Sequence, residues 1–234
     1  MSIVDGSARF PLAFLPTPMH PLPRLKGWLQ DQGTAAELWI KRDDQTGLAL
    51  GGNKTRKLEL LLGDALALRA DTLITTGAVQ SNHCRQTAAA AAQAGLDCHL
   101  VLGGGPPDTP NGNLLLDLLL GATLHWTTRE NRLPRLHELE IELRDSGRRP
   151  YFVTYGGSDP VGASGYALAL DELRQQIRES DVELDAIVVA SSSGGTQAGL
   201  VAGAWQTGWN VPILGISIDA VKADLQSTVA DLAT

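Results

Sequence analysis

DTLITTGAVQSNHCRQTAAAAAQAGLDCHLVLG, residues 71–103, packs a strand, a helix and a second strand into one short span. DTLITTG (71–77) and LDCHLVLG (96–103) are strand-length apolar runs. The alanine-rich segment from Cys84 to Ala94 between them reads as a helix. A strand–helix–strand unit joins parallel strands through a right-handed crossover. The same beat extends in both directions. Upstream, LWIKR (38–42) reads as a short strand, and a helix runs from Lys54 to about Arg69. Residues 8–25 carry Pro11, Pro16, Pro18, Pro21 and Pro23 and read as an extended arm wrapping a domain rather than a helix. Downstream, helices are expected at 113–121, 131–146, 162–179, 197–206 and 220–234, and strands at 122–128, 149–157, 185–190 and 211–219. Leu133, Leu136, Leu139 and Leu143 give the second of these helices its apolar face. Such alternation predicts an α/β protein with a largely parallel sheet. A parallel sheet whose last strand leads into a final helix is expected to lack its remaining strands at the C-terminus.

Composition narrows the function. The 234 residues are 43% hydrophobic and 19% charged, with a net charge of -7. That suits a buried core and argues against nucleic-acid binding, as does the absence of a basic stripe. Cys84 and Cys98 form no CxxC pair, and MSIVDGSARFPLAFLPTP has neither the basic start nor the apolar stretch of a secretory leader. The apolar runs at 88–96 and 114–122 are too short or too charged to span a bilayer. A cytoplasmic protein without membrane partners is expected.

Ligands of open α/β sheets bind beyond the carboxyl ends of the strands, so the loops carry the chemistry. GGNKTRKLE (51–59) puts Lys54, Arg56 and Lys57 at a helix N-terminus, where the macrodipole disfavours cations. An anion bound there and a solvated basic turn both fit. Crowded cations also lower a lysine's pKa, and a neutral amine is the nucleophile that forms a Schiff base. TGAVQSNHCRQT (76–87) places Gln80, Ser81, Asn82 and His83 in a row after the tight turn at Gly77. Ser81 or Asn82 suffices as an N-cap, and four polar side chains with free amides suit a carboxylate. VASSSGGTQAGL (189–200) links a buried strand to a helix through hydroxyls and glycines, which describes a phosphate cradle. It is neither a P-loop nor a GxGxxG turn. TYGGSDPVGASGY (154–166) reads as a turn plus N-cap, although Tyr155 or Ser158 has the chemistry to face a ligand. Residues 103–112 read as a surface connection. The five histidines show no metal-ligand spacing, so no metal is expected, and His99 and His125 fall inside strands as packed or edge residues. No GxSxG elbow is present. Cys84 reads as a packed helix residue. A lysine for an aldehyde and a cradle for a phosphate together describe pyridoxal phosphate.

IKRDDQTGLALGGNKTRKLE (40–59) and DTLITTGAVQSNHCRQTAAAAA (71–92) closely resemble the D-cysteine desulfhydrase and 1-aminocyclopropane-1-carboxylate deaminase family, pyridoxal-phosphate enzymes of the tryptophan-synthase-β fold type. The resemblance implies two parallel-sheet, three-layer domains, a smaller one at 51–156 and a larger one from 1–50 and 157–234. It implies that Lys54 holds pyridoxal 5'-phosphate covalently. Ser193, Gly194, Gly195 and Thr196, with Asn53, would hold its phosphate. Asn82 would meet its ring hydroxyl. Ser81 would be the catalytic serine and help bind the substrate carboxylate, in a loop with Gln80 and His83. The implied reaction acts on a small amino acid: β-elimination from D-cysteine to pyruvate, ammonia and sulfide, ring-opening deamination with Ser81 as nucleophile, or sulfonate loss from cysteate. A homodimer is implied as well. Two departures stand out. Ser192 occupies a position where the family usually has glycine, with strain expected if φ is positive there. Family members also continue well beyond residue 234. A chain without that part is expected to lack a group that bonds the pyridine nitrogen, so a catalytically inactive fragment is the alternative of another class.

Overall fold

The computed structural model describes residues 8–218 and 221–234. Asp219, at the end of the last expected strand, Ala220, at the start of the final helix, and residues 1–7 of the N-terminal stretch, read as no secretory leader, lie outside them.

The arm at the start is not extended throughout. Met19–Pro21 forms β1, and Pro23–Asp31 forms helix α1 with its proline in the first turn. Proline there loses no hydrogen bond, because the first N–H groups of a helix have no partner inside it. Strand β2, Trp39–Lys41, pairs antiparallel with β1. Glu59 ties the arm down: its carboxylate accepts from the backbone N–H of Leu12 (2.9 Å) and Ala13 (3.0 Å) and from the Arg9 side chain.

Helix α2 is Lys54–Ala67, followed by strand β3 at Thr72–Ala78, helix α3 at Asn82–Ala94 and strand β4 at Asp97–Gly103. Helix α4 (Gly112–Leu119), strand β5 (Thr123–Thr127), helix α5 (Arg132–Asp145) and strand β6 (Pro150–Phe152) complete this part. The four strands form one parallel sheet in the order β5-β4-β3-β6, as the alternation predicts. Side-chain alternation serves both faces. Leu73, Leu100 and Leu102 pack with α2 and α3, while Ile74 and Val101 pack with Leu136 and Leu139 of α5. Strand β6 is much shorter than 149–157, because the chain turns at Gly156 and Gly157, both at positive φ.

Helix α6 is Pro160–Ser180, strand β7 Ile187–Ser191, helix α7 Gly195–Gln206, strand β8 Ile213–Ser217 and helix α8 Lys222–Ala233. Strands β7 and β8 are parallel. Ile187, Val189 and Ile213 pack on α6 and α7; Val188, Leu214 and Ile216, one residue on in each strand, are exposed. Small residues bring the helices close. An added Cβ at Gly199 would lie 2.0 Å from the Ala163 carbonyl, and one at Gly165 would lie 2.3 Å from that of Arg56.

Arg56, read as part of a cation cluster awaiting an anion, has its anions within the chain. Its guanidinium bonds Asp43 (2.9 and 3.0 Å) and Glu172 (2.8 and 3.0 Å). Tyr166 donates to Asp43 at 2.7 Å, and Lys41 also pairs with Glu172. Burial works against the charges, yet the ion pairs hold Glu172 down to about 2. Among the described residues no helix is long and apolar enough to cross a membrane, and no group of three or more metal-ligating side chains occurs.

Candidate active site

Lys54 is the first residue of α2, and the Asn53 before it is the N-cap. The glycines ahead of it are structural requirements. Gly51 has φ +71 and Gly52 φ +130, and a Cβ on Gly51 would stand 2.1 Å from the Asp44 carbonyl. The helix therefore starts with its lysine directed into a cleft of about 580 Å³, lined among others by Asn53, Lys54, Lys57, Asn82, Ser193 and Thr196. The Lys54 amine donates to Asn53 Oδ1 at 2.9 Å. Desolvation lowers its pKa to about 8. Lys57, one turn on, is pushed to about 7 by burial and then by the charge of Lys54. Of the three cations in this stretch, Lys54 and Lys57 face the cleft and Arg56 does not.

Opposite lies the start of α7. Gly194, at φ +80, caps the helix, and Ser192 and Ser193 link it to the end of β7 at Ser191. Ser192 is not at positive φ, so the strain expected from serine in place of glycine does not arise. The Ser191 hydroxyl is buried in the cleft wall with no hydrogen-bond partner. Asn53 donates to Thr196 Oγ1 at 3.0 Å, joining the lysine stretch to this loop. The hydroxyls of Ser193 and Ser158 are 2.7 Å apart, and Gly195 N–H donates to Ser158 Oγ at 3.2 Å. Lys57 donates to the Gly156 carbonyl (3.1 Å) and to Ser158 Oγ (3.3 Å). The loop at 154–166 thus does more than turn and cap. Asp159 supplies the cap of α6, while Ser158 completes the rim of the cradle. Its partner Ser193 is 35 residues away, which hid the contact from sequence reasoning. A helix N-terminus ringed by hydroxyls and amines is suited to a phosphate.

The third side of the cleft is the start of α3. Ser81 caps it, its hydroxyl accepting from Cys84 N–H at 3.2 Å. Gly77 leaves the room for this, since a Cβ there would lie 2.7 Å from Ser81 Oγ. Asn82 lines the cleft. The other three members of the polar run are not among its lining residues, and Ser81 is turned back as the cap. His83 is buried beneath the loop with Nε2 2.8 Å from Thr75 Oγ1, and burial together with the charges of Lys54 and Lys57 drives it to about 3, so it is neutral. Gln80 turns outward to Asn111 and Asn113. Four adjacent residues at a helix start point in different directions, so only part of the run faces one ligand. The connection at 103–112 consequently abuts the site through its last residues. Cys84 is fully buried and raised to about 12, as a packed residue should be. His99 and His125 stack between neighbouring strands, 2.9 Å apart through Nδ1 and Nε2.

Comparison with known proteins gives four findings. The family described as "Pyridoxal-phosphate dependent enzyme" matches residues 11–231. D-cysteine desulfhydrase of Klebsiella pneumoniae (strain 342) is 45% identical over 230 residues, covering 94% of this chain and 68% of that protein. The Arabidopsis thaliana protein named bifunctional D-cysteine desulfhydrase/1-aminocyclopropane-1-carboxylate deaminase, mitochondrial, is 44% identical over 213 residues, covering 85% of this chain; the chain spans about half, 51%, of that relative. A crystal structure of an ACC deaminase homologue superposes with a TM-score of 0.89 at 39% identity, over 98% of this chain and 69% of the other. The parallel α/β fold expected from the tryptophan-synthase-β resemblance is therefore borne out.

Proposed function

The chain belongs to the pyridoxal-phosphate dependent enzymes, and from that premise we propose a lyase acting on a small amino acid, by D-cysteine desulfhydrase-like β-elimination to pyruvate, ammonia and sulfide. One observation carries the reading: an amine held near pKa 8 at Lys54 and a hydroxyl-lined helix start at Ser193–Thr196 face the same cleft. The residues fit the cofactor. Lys54 offers a partly neutral nucleophile for its aldehyde. Ser193, Gly194, Gly195 and Thr196, with Asn53 and Lys57, offer donors for its phosphate, and Ser191 keeps a buried hydroxyl unpartnered beside them. When bound, pyridoxal 5'-phosphate supplies an electron sink for charge on the carbon beside the substrate nitrogen.

The chain's own groups supply the rest. Asn82 and the free amides at the start of α3 orient the substrate carboxylate, with Ser81 beside them. The Lys54 amine takes the α-proton, which its lowered pKa permits near neutral pH. Lys57 sits too deep among Gly156 and Ser158 for that task and acts as a fixed donor to the phosphate. Loss of sulfide from the neighbouring carbon completes the elimination, and water hydrolyses the released enamine to pyruvate and ammonia. Deamination of 1-aminocyclopropane-1-carboxylate, with Ser81 as nucleophile, is the second reading; the likeness to the ACC deaminase homologue and to the bifunctional Arabidopsis protein favours it. We read residues 51–156 as the smaller domain, supported by the four-stranded sheet falling within those bounds, and the remainder as the larger. A cytoplasmic homodimer completes the proposal by family analogy.

The test is an absorbance spectrum of the purified chain with pyridoxal phosphate, beside Lys54→Ala, followed by sulfide release from D-cysteine and turnover of 1-aminocyclopropane-1-carboxylate and cysteate. A visible band that needs Lys54, with sulfide release, supports the first reading. Turnover of the cyclopropane substrate alone would replace it with the second, and no band in folded protein would sink both.

A further inference from the structure

Arg85 sits on α3, one turn past Ser81, and is 7% exposed. Its Nη2 donates to the Gly51 carbonyl at 2.7 Å. Its Nη1 donates to Asn82 Oδ1 at 3.1 Å and to Asn113 Oδ1 at 2.9 Å. The three acceptors belong to three separate segments: the turn that delivers Lys54, the loop that carries Ser81 and Asn82, and the start of α4. None of these segments has much slack. Gly51 is wedged against Asp44. Asn113 donates to the Gln80 carbonyl (2.8 Å) and to Asn82 Oδ1 (3.0 Å), and its own N–H reaches Gln80 Oε1 at 2.9 Å. One turn beyond Asn113 on the same helix, Asp117 is fully buried with both carboxylate oxygens unpartnered. Burial raises its pKa to about 7, and the charge of Arg85 opposes that shift.

We propose that Arg85 is a positioning residue that sets the separation between Lys54 and the Ser81–Asn82 loop across the cleft. The proposal rests on the functional reading above only in taking those two elements as partners in one reaction. Arg85 touches neither cofactor nor substrate on that reading. It bonds the backbone ahead of the lysine with one arm and the Asn82 amide with the other. A planar fork serves two directions at once, and a lysine ammonium on a flexible stem does not. The phosphate cradle lies on α7, outside this junction. Loss of Arg85 therefore loosens the two elements on either side of the cleft while α7 stays in place, and alignment of the substrate with the Lys54 amine is lost.

The test uses Arg85→Met, Arg85→Lys and Asn113→Ala. In protein without cofactor, hydrogen exchange is followed in peptides covering 48–56 and 79–86. Arg85→Met is expected to raise exchange about tenfold in both segments with β4 and α7 unchanged, Arg85→Lys to do the same, and Asn113→Ala to act on 79–86 alone. With saturating pyridoxal phosphate, kcat on D-cysteine should fall about a hundredfold, the scale of a 1 Å misplacement. Unchanged exchange in both segments, a rise spread evenly over the chain, or full rescue by Arg85→Lys would each overturn the proposal. Should Arg85→Met fail to fold, Arg85→Lys and Asn113→Ala carry the same exchange readout. A wild-type chain without a Lys54-dependent band or sulfide release would end the functional reading, and the exchange arm would still decide the junction.

Discussion

Asn53 donates its amide to the Thr196 hydroxyl at 3.0 Å, across 143 residues of sequence. The same side chain accepts from the Lys54 amine. One asparagine thus joins the lysine proposed to take the aldehyde to the loop proposed to take the phosphate. Asn53→Ala should weaken pyridoxal phosphate binding about tenfold, roughly 1.4 kcal/mol, the worth of one such bond with its partner left unpaired. Titration of the visible band against cofactor concentration measures it. Equal affinities in wild type and variant would refute the link.

Gly195 is a tight point of the proposed phosphate cradle. A Cβ there would lie 2.5 Å from Ser158 Oγ and 2.9 Å from Lys57 Nζ. Gly195→Ala should leave the circular-dichroism spectrum unchanged, because alanine favours the helix that begins there. Phosphate-bearing cofactor should bind much more weakly. Pyridoxal without its phosphate should bind wild type and variant alike, which identifies the phosphate as the group excluded.

Lys57 is 1% exposed and lowered from 10.5 to about 7. The folded chain therefore gives up this proton at lower pH than the unfolded chain does. Stability without cofactor should rise as pH climbs from about 7 toward 10.5, since the unfolded state binds more protons across that window. Below pH 7 the buried ammonium is a constant penalty. Lys57→Met should flatten the rise, as read from urea midpoints at several pH values.

Arg56 holds Asp43 and Glu172 together at 3% exposure. Arg56→Met should destabilise the fold by about 3–5 kcal/mol, because the partly buried Asp43 would lose its counter-charge and Glu172 would keep only Lys41. Glu172 supplies the acid limb. Its pKa is held down to about 2, so its contribution is present above the ordinary 4.5 and is lost as pH falls from there toward 2. Urea denaturation at pH 3 and pH 7 should show a smaller difference between wild type and variant at the lower pH.

Periodicity alone carried most of the architecture, because strand-length apolar runs alternating with helical ones have few three-dimensional solutions. Lys54 stood out because a cation at a helix start is costly unless something uses it. Other features depend on contacts that sequence spacing hides. Arg56 looked equivalent to its neighbours until Glu172, 116 residues on, came into contact with it. Ser158 gained its place from Ser193. The helix at Pro23–Asp31 was masked by prolines that break helices in their interior but open them at their first turn. Gln80, Ser81 and His83 shared a run with Asn82, and only the backbone geometry of the turn leaves Asn82 alone lining the cleft.

The near-contact of Gly199 with the Ala163 carbonyl, where a Cβ would stand at 2.0 Å, makes α7 a lever whose fulcrum is one turn behind its ligand-facing end. A single methyl group at that fulcrum would tilt the amides of Gly195 and Thr196 without touching either of them. Variation that tunes affinity in this protein is therefore to be sought along the α6–α7 seam as much as among the hydroxyls of the cradle.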